Sequence, residues 1–293
     1  MKPVVVDGGL SRAMQYLAVC SWSLRPTSPA DLVGKVEACG LSAVQLHIDP
    51  IRDGTWNEKS TVELLKSAGI AILSGMISMK GEDYSSLESI KRTGGIRADV
   101  HWGDNFRAIE ADAAIAQRLA IPLVTFHAGF LPHETSNFER RTMIDRLRQL
   151  AQMFASRGMR LALETGQETA ATLLAVLAEV NAHLPTRWHV GVNFDPANMI
   201  LYGMGDPVDS LRRLLPSVRQ VHIKDALPAA TAGTWGTEVL AGTGKVDWPE
   251  FFRVLRENPV NLVVEREAGE DRVGDVRAAA DLVKRLAGAG IAS

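Results

Sequence analysis

Eight short apolar runs recur along the chain, each followed by a longer segment whose apolar residues return at helical spacing. The runs are Tyr16–Ser21, Ala43–His47, Ala71–Gly75, Leu123–His127, Arg160–Glu164, His189–Asp195, Val218–Lys224 and Asn261–Glu265. Nearly continuous and rich in Val, Leu and Ile, they fit strands of a parallel sheet buried on both faces. The segments between them carry helix punctuation. Ser28-Pro29 supplies a capping hydroxyl and a first-turn proline to a helix that Gly40 ends. Asn57 and Asn137 cap segments ending at Gly69 and Gly158. Asp206-Pro207 and Asp247-Trp248-Pro249 open two more, and Asp275 stands near the start of the last.

Eight strand–helix units in 293 residues predict an α/β fold of the (β/α)8 TIM barrel type rather than an open doubly wound sheet. An N-terminal extension, residues 1–15, precedes a single barrel domain, residues 16–293. Two stretches break the regular spacing: Ile77–Pro122, with Gly94-Gly95 and Trp102, and Ala226–Asp247, with Trp235, Gly242 and Gly244. Both follow strand C-termini, where barrel enzymes build their sites, so they read as substrate-covering loops.

Composition narrows the class without naming a chemistry. Hydrophobic residues at 46% and charged residues at 23% give an ordinary globular chain with a sizeable core, and exclude disorder, collagen-like repetition and a pure coiled coil. With 32 Lys+Arg against 34 Asp+Glu, the net charge of -2 gives no general attraction to nucleic acid or to an anionic membrane, and neither partner is expected. Cys20 and Cys39 are too far apart for a CxxC motif and too few for a disulfide framework, which fits a reducing compartment. The first residues lack the apolar core of a signal peptide, and no run approaches the ~20 apolar residues of a spanning helix. A cytoplasmic protein is the expectation. No Rossmann fingerprint, P-loop, HExxH or GxSxG motif is present, so no nucleotide cofactor is expected.

The chemistry lies where apolar strands end. A charge closing such a strand is costly unless water, a metal or a partner satisfies it. Glu164 ends the fifth run, Asp195 the sixth and Glu265 the eighth, and His222 stands near the end of the seventh. In a barrel these ends converge on one mouth, so the four side chains can surround one divalent ion. Three carboxylates and an imidazole suit manganese best, with magnesium, cobalt or zinc as alternatives.

The series Leu163-Glu164-Thr165-Gly166, Asn193-Phe194-Asp195-Pro196-Ala197-Asn198, Val221-His222-Ile223-Lys224-Asp225 and Val263-Val264-Glu265-Arg266-Glu267-Ala268-Gly269 resembles the xylose-isomerase-like barrel superfamily of sugar isomerases and epimerases, over about residues 16–288. The resemblance implies Glu164, Asp195, His222 and Glu265 as metal ligands. Glu267 competes with Glu265, because period-two alternation points both the same way, but it stands two residues further toward the loop. His127 at the fourth strand end and His47 at the second are candidate substrate contacts. So are Lys224 and Asp225, which follow His222 and can hold a hydroxyl or relay a proton. Trp22, Trp102 and Trp235 follow strand ends and can stack on sugar C–H faces.

A divalent ion so held can chelate the hydroxyl and carbonyl oxygens of a hydroxy ketone and stabilise an enediolate, with Glu164 and Glu265 as acid and base on opposite faces. Proton return decides between epimerisation and isomerisation, and loss of a β-hydroxyl gives dehydration. The leading expectation is a metal-dependent sugar isomerase or epimerase. The sequence departs from ketose 3-epimerases in having Asn198 where they carry a histidine, and no arginine soon after His222. His222-Ile223-Lys224-Asp225 is closer to inosose dehydratases, so a lyase acting on a keto-sugar or inosose is the first alternative. A non-catalytic sugar-binding barrel is the second. The endonuclease IV type needs further histidines that are missing here. Homo-oligomers are the general expectation for barrels of this size.

Overall fold

The computed structural model describes residues 15–231 and 233–287, and the backbone of 291–292. Eight parallel strands close into a barrel: β1 Gln15–Cys20, β2 Ala43–His47, β3 Ala71–Met76, β4 Leu123–Phe126, β5 Arg160–Glu164, β6 Gly191–Phe194, β7 Val218–Ile223 and β8 Asn261–Val264. Each strand pairs with the next in sequence. Closure is made by β8 on β1, in the register Leu17↔Leu262, Ala18↔Val263 and Val19↔Val264. The short strand Ile291–Ala292 adds to the start of β1. The predicted extension, residues 1–15, lies outside the described residues except for Gln15, which begins β1.

The strand ends explain the site. Ladder pairing stops one residue before His127, Asp195, Lys224 and Glu265, so these side chains stand at the rim of the barrel. Alternation sends Leu17, Val19, Val44, Leu46, Val124 and Phe126 outward into the main core under the helices. Ala18, Cys20 and Val263 face inward as a small apolar plug. Above the plug the inward positions turn polar, with Gln45, Ser74, Thr125, Asn193, Gln220 and His222 all buried.

Eight helices ring the barrel: α1 Pro29–Ala38, α2 Glu58–Ser67, α3 Asp99–Arg118, α4 Phe138–Ser156, α5 Ala170–Asn181, α6 Pro207–Leu214, α7 Trp248–Leu255 and α8 Arg272–Ala287. The side chains of Ser28, Asn57, Asn137, Asp206 and Asp247 all accept backbone N–H bonds from their helices, as the punctuation predicts. Among the described residues no helix is long and apolar enough to cross a membrane.

The stretch Ile77–Pro122 is not one loop. It contains a short helix, Leu87–Thr93, and then the twenty-residue barrel helix α3. Only its first part reaches the barrel mouth. Gly95, at φ +63°, packs so closely that a Cβ there would meet the Ala128 carbonyl carbon at 2.1 Å, so the loop sits directly on the end of β4. The stretch Ala226–Asp247 contains all but the first residue of an antiparallel ribbon, Asp225–Leu227 against Thr237–Val239.

Candidate metal centre

Glu164 from β5, Asp195 after β6, His222 from β7 and Glu265 after β8 each bring one ligand atom to a common point, all within 4.8 Å of one another. His222 Nδ1 lies 3.5 Å from Glu164 Oε1, 3.7 Å from Asp195 Oδ2 and 3.2 Å from Glu265 Oε2. All four residues are buried. His222 Nδ1 and Asp195 Oδ2 are buried without a hydrogen-bond partner among the described residues. Orphaned polar atoms are costly in a protein interior, and a divalent cation is the species that three carboxylates and a bare imidazole nitrogen would satisfy together. Glu267 is outside the group: its side chain is 56% exposed and pairs with Lys224.

Two amide chains orient the cluster from below. Gln45 Nε2 donates to Thr125 Oγ1 at 2.7 Å, which turns Gln45 Oε1 toward His222 Nε2 at 2.8 Å. Asn193 Nδ2 also approaches Nε2, at 3.0 Å, so two amides hold that edge of the ring and leave Nδ1 facing the carboxylates. The second chain has the opposite polarity. Ser74 Oγ donates to Gln220 Oε1, Gln220 Nε2 to Asn193 Oδ1, and Asn193 Nδ2 to Glu164 Oε2, at 2.6, 3.1 and 3.2 Å. The first chain ends under the imidazole, and the second ends between the imidazole and the Glu164 carboxylate.

The charges shape one another. Burial works against ionising Glu164, but His127 and His222 hold its carboxyl down at about 2. For Asp195 burial prevails over Lys224 and raises the carboxyl to about 6. Burial disfavours the imidazolium of His127, yet Glu164, 3.3 Å away, and Glu82 raise it to about 9. Lys224 Nζ lies 3.0 Å from Glu265 Oε2 and 3.7 Å from Asp195 Oδ2. Trp22 Nε1 donates to Glu265 Oε1 at 2.9 Å.

Above the cluster opens a cavity of about 460 Å³. Trp22, His47, His127, Asn198, Lys224 and Trp235, six of the sequence candidates, line it. His47 is steadied by Ser78 Oγ at 3.1 Å and Asp49 at 3.3 Å. Asn198 Nδ2 donates to Glu164 Oε1 at 3.1 Å, so part of its capacity is spent on a neighbour.

Two sequence candidates belong elsewhere. Trp102 sits in the first turn of α3, packed edge-on against Phe106 and under the Arg146 guanidinium 4.9 Å from its ring, away from the cavity lining. Trp102 thus stands on a barrel helix and not in the substrate-covering loop that the sequence predicts. Asp225 is buried and faces its own ribbon, accepting from the backbone N–H groups of Ala226, Gly242, Gly244 and Val246 and from Trp248 Nε1, at 2.9–3.2 Å. It has no capacity left for substrate. Conversely, Glu82, Tyr84, Glu168 and Tyr202 line the site without having been singled out. Glu168, four residues past Glu164 in the same strand-end loop, was the most visible of them.

A closed parallel barrel with a buried carboxylate–imidazole cluster at its C-terminal mouth defines a class of barrel. The chain belongs to the xylose isomerase-like TIM barrel family, whose model matches residues 33–286. Among solved structures it is similar to a xylose isomerase domain protein from Planctomyces limnophilus, at 28% identity and a TM-score of 0.80, covering 94% of this chain and 99% of that one. It is also similar to the probable 3-DHS dehydratase AsbF from Bacillus anthracis (20%, TM-score 0.69, 92% and 98%). A third match is a D-allulose 3-epimerase from Methylomonas sp. in complex with D-allulose (16%, TM-score 0.67, 93% and 97%). Magnesium-bound and zinc-bound barrels are among the matches. No curated protein sequence matches the chain significantly.

Proposed function

We propose that the protein is a divalent-metal-dependent isomerase or epimerase of a small sugar or sugar derivative. The observation that carries this reading is the four-residue cluster, with its orphaned His222 Nδ1 and Asp195 Oδ2, directly beneath the cavity. A divalent ion held there supplies Lewis acidity for adjacent hydroxyl and carbonyl oxygens. Glu164 and Glu265 approach from non-neighbouring strands and are held ionised, Glu164 by its histidines and Glu265 by Lys224 and His222. One carboxylate removes the proton from the carbon beside the carbonyl, and the other returns it on the opposite face or at the neighbouring carbon. Trp22 fixes the orientation of Glu265 through its indole N–H. His127 stands beside Glu164 on the cavity side, placed to take part in that proton traffic.

Glu164→Gln and His222→Ala are expected to lower bound manganese, measured by elemental analysis. Both should also abolish uptake of carbon-bound deuterium from heavy water by ketoses. Wild-type metal content and exchange in both variants would place the site elsewhere. An enone product absorbing in the ultraviolet would instead assign lyase chemistry.

A further inference from the structure

At the other end of the barrel, where β5, β6 and β7 begin, lies an open cleft of about 510 Å³. Three arginines line it: Arg160 at the start of β5, Arg187 in the turn Thr186–Trp188 before β6, and Arg219 near the start of β7. From Arg160 at one end of β5 to Glu164 at the other is about 13 Å along the strand, so the cleft is separate from the metal centre. Among the described residues no carboxylate lines it, and none of the three guanidiniums pairs with one. Elsewhere on the surface arginine commonly meets an acid, as Arg118 meets Glu58 and Arg253 meets Glu250. In a chain of net charge -2, this is a local reversal of sign.

The backbone makes room for this cluster. Gly191 opens β6, between β5 and β7, and a Cβ there would meet Arg219 Cγ at 2.4 Å and the Ser217 carbonyl oxygen at 2.8 Å. Arg219 Nη1 donates to the carbonyls of Pro216 and Val218 at 3.0 and 3.1 Å, which fixes the guanidinium and leaves its other nitrogens without an acceptor among the described residues. Burial, and then the charge of Arg160, hold the Arg219 guanidinium below its ordinary range, so two like charges face one space. Arg187 is stacked 5.2 Å from the ring of Trp188. The N-terminal face of a barrel ordinarily serves stability, and like charges gathered there oppose it until an anion joins them. A phosphate group, with several oxygens, is what forked guanidiniums hold best. The cleft volume is that of a small-molecule site, and Thr186, Asn258 and Asn261 line it beside the arginines. Asn258 Nδ2 is engaged by the Leu215 carbonyl and Asn261 Oδ1 by the Tyr16 N–H, which leaves Asn258 Oδ1 to accept and Asn261 Nδ2 to donate.

We infer that this cleft binds a small phosphate monoester bearing hydroxyl groups, its phosphate held by Arg160, Arg187 and Arg219 and its hydroxyls by the amides of Asn258 and Asn261. Such a site stands whatever reaction the metal cluster performs.

The test is calorimetric titration of the protein with glucose 6-phosphate, glucose and inorganic phosphate. The ester should bind at least about tenfold more tightly than either of the other two. Arg160 and Arg187 are exposed, so Arg160→Ala with Arg187→Ala should keep the melting temperature of the ligand-free protein while weakening ester binding at least about tenfold. Arg160→Ala alone shifts the affinity in the same direction and guards against misfolding of the double variant. An ester that binds no more tightly than glucose or inorganic phosphate would overturn the inference. So would ester binding unchanged in the double variant, which would place the ester at the barrel mouth instead.

Discussion

Gln45 is a neutral residue inside an apolar strand, yet its Oε1 lies 2.8 Å from His222 Nε2, on the edge of the ring turned away from the carboxylates. Gln45→Leu removes the acceptor under Nε2 while keeping the volume. It is expected to cost about 10–100-fold in metal affinity, measured by chelator competition, whereas Gln45→Glu keeps an acceptor and retains binding. The four cluster residues were legible in the sequence because a charge closing an apolar run is anomalous. Their supports were not, because an amide within such a run resembles any tolerated polar residue. Alternation alone would have found several of them: Asn193 stands two before Asp195 and Gln220 two before His222, so each must face the same interior. Asp225 misled for the complementary reason, since a charge beside a ligand looks functional until its partners are seen to be backbone N–H groups.

At the level of elements, the ribbon Asp225–Leu227/Thr237–Val239 carries Trp235 over the cavity and is drawn together by one carboxylate. Gly244 belongs to this device: a Cβ there would meet Asp225 Oδ1 at 2.0 Å. Asp225→Ala leaves several buried donors unpaired and should destabilise the fold by about 2–4 kcal/mol, read as a lowered melting temperature. New protease cleavage within 226–247 should accompany it. Glu238 on the same ribbon accepts from the backbone of Glu267 and Ala268, so the loosening should spread to the loop after β8. The strands and five capped helices were readable because their signals are local. Helix α3 was not, since Ala98 offers no side-chain cap and its inner face includes the buried polar residues Asn105 and Asp112. Asp112 is there to meet Arg52, a partner 60 residues away that no local window includes.

Across the whole molecule, all four cluster residues come from β5–β8, while the loops after β1 to β4 contribute Trp22, His47, Glu82 and His127 to the walls. An ion bound by the cluster would tie four consecutive strands together. Free ion at a hundredfold over its dissociation constant should add about 2.7 kcal/mol to stability, and chelation should lower the melting temperature correspondingly. An unchanged melting temperature on chelation, in protein shown to contain metal, would mean that the ion is held elsewhere. The division holds for the cluster and not for the cavity, because Asn198, Tyr202, Lys224 and Trp235 from the second half line the same walls. Grafting the first four strand–helix units onto the second half of a related barrel should therefore leave the carboxylate–imidazole cluster whole while replacing only part of the cavity wall. The Trp22–Glu265 hydrogen bond across the β8–β1 seam is the contact such a chimera must preserve.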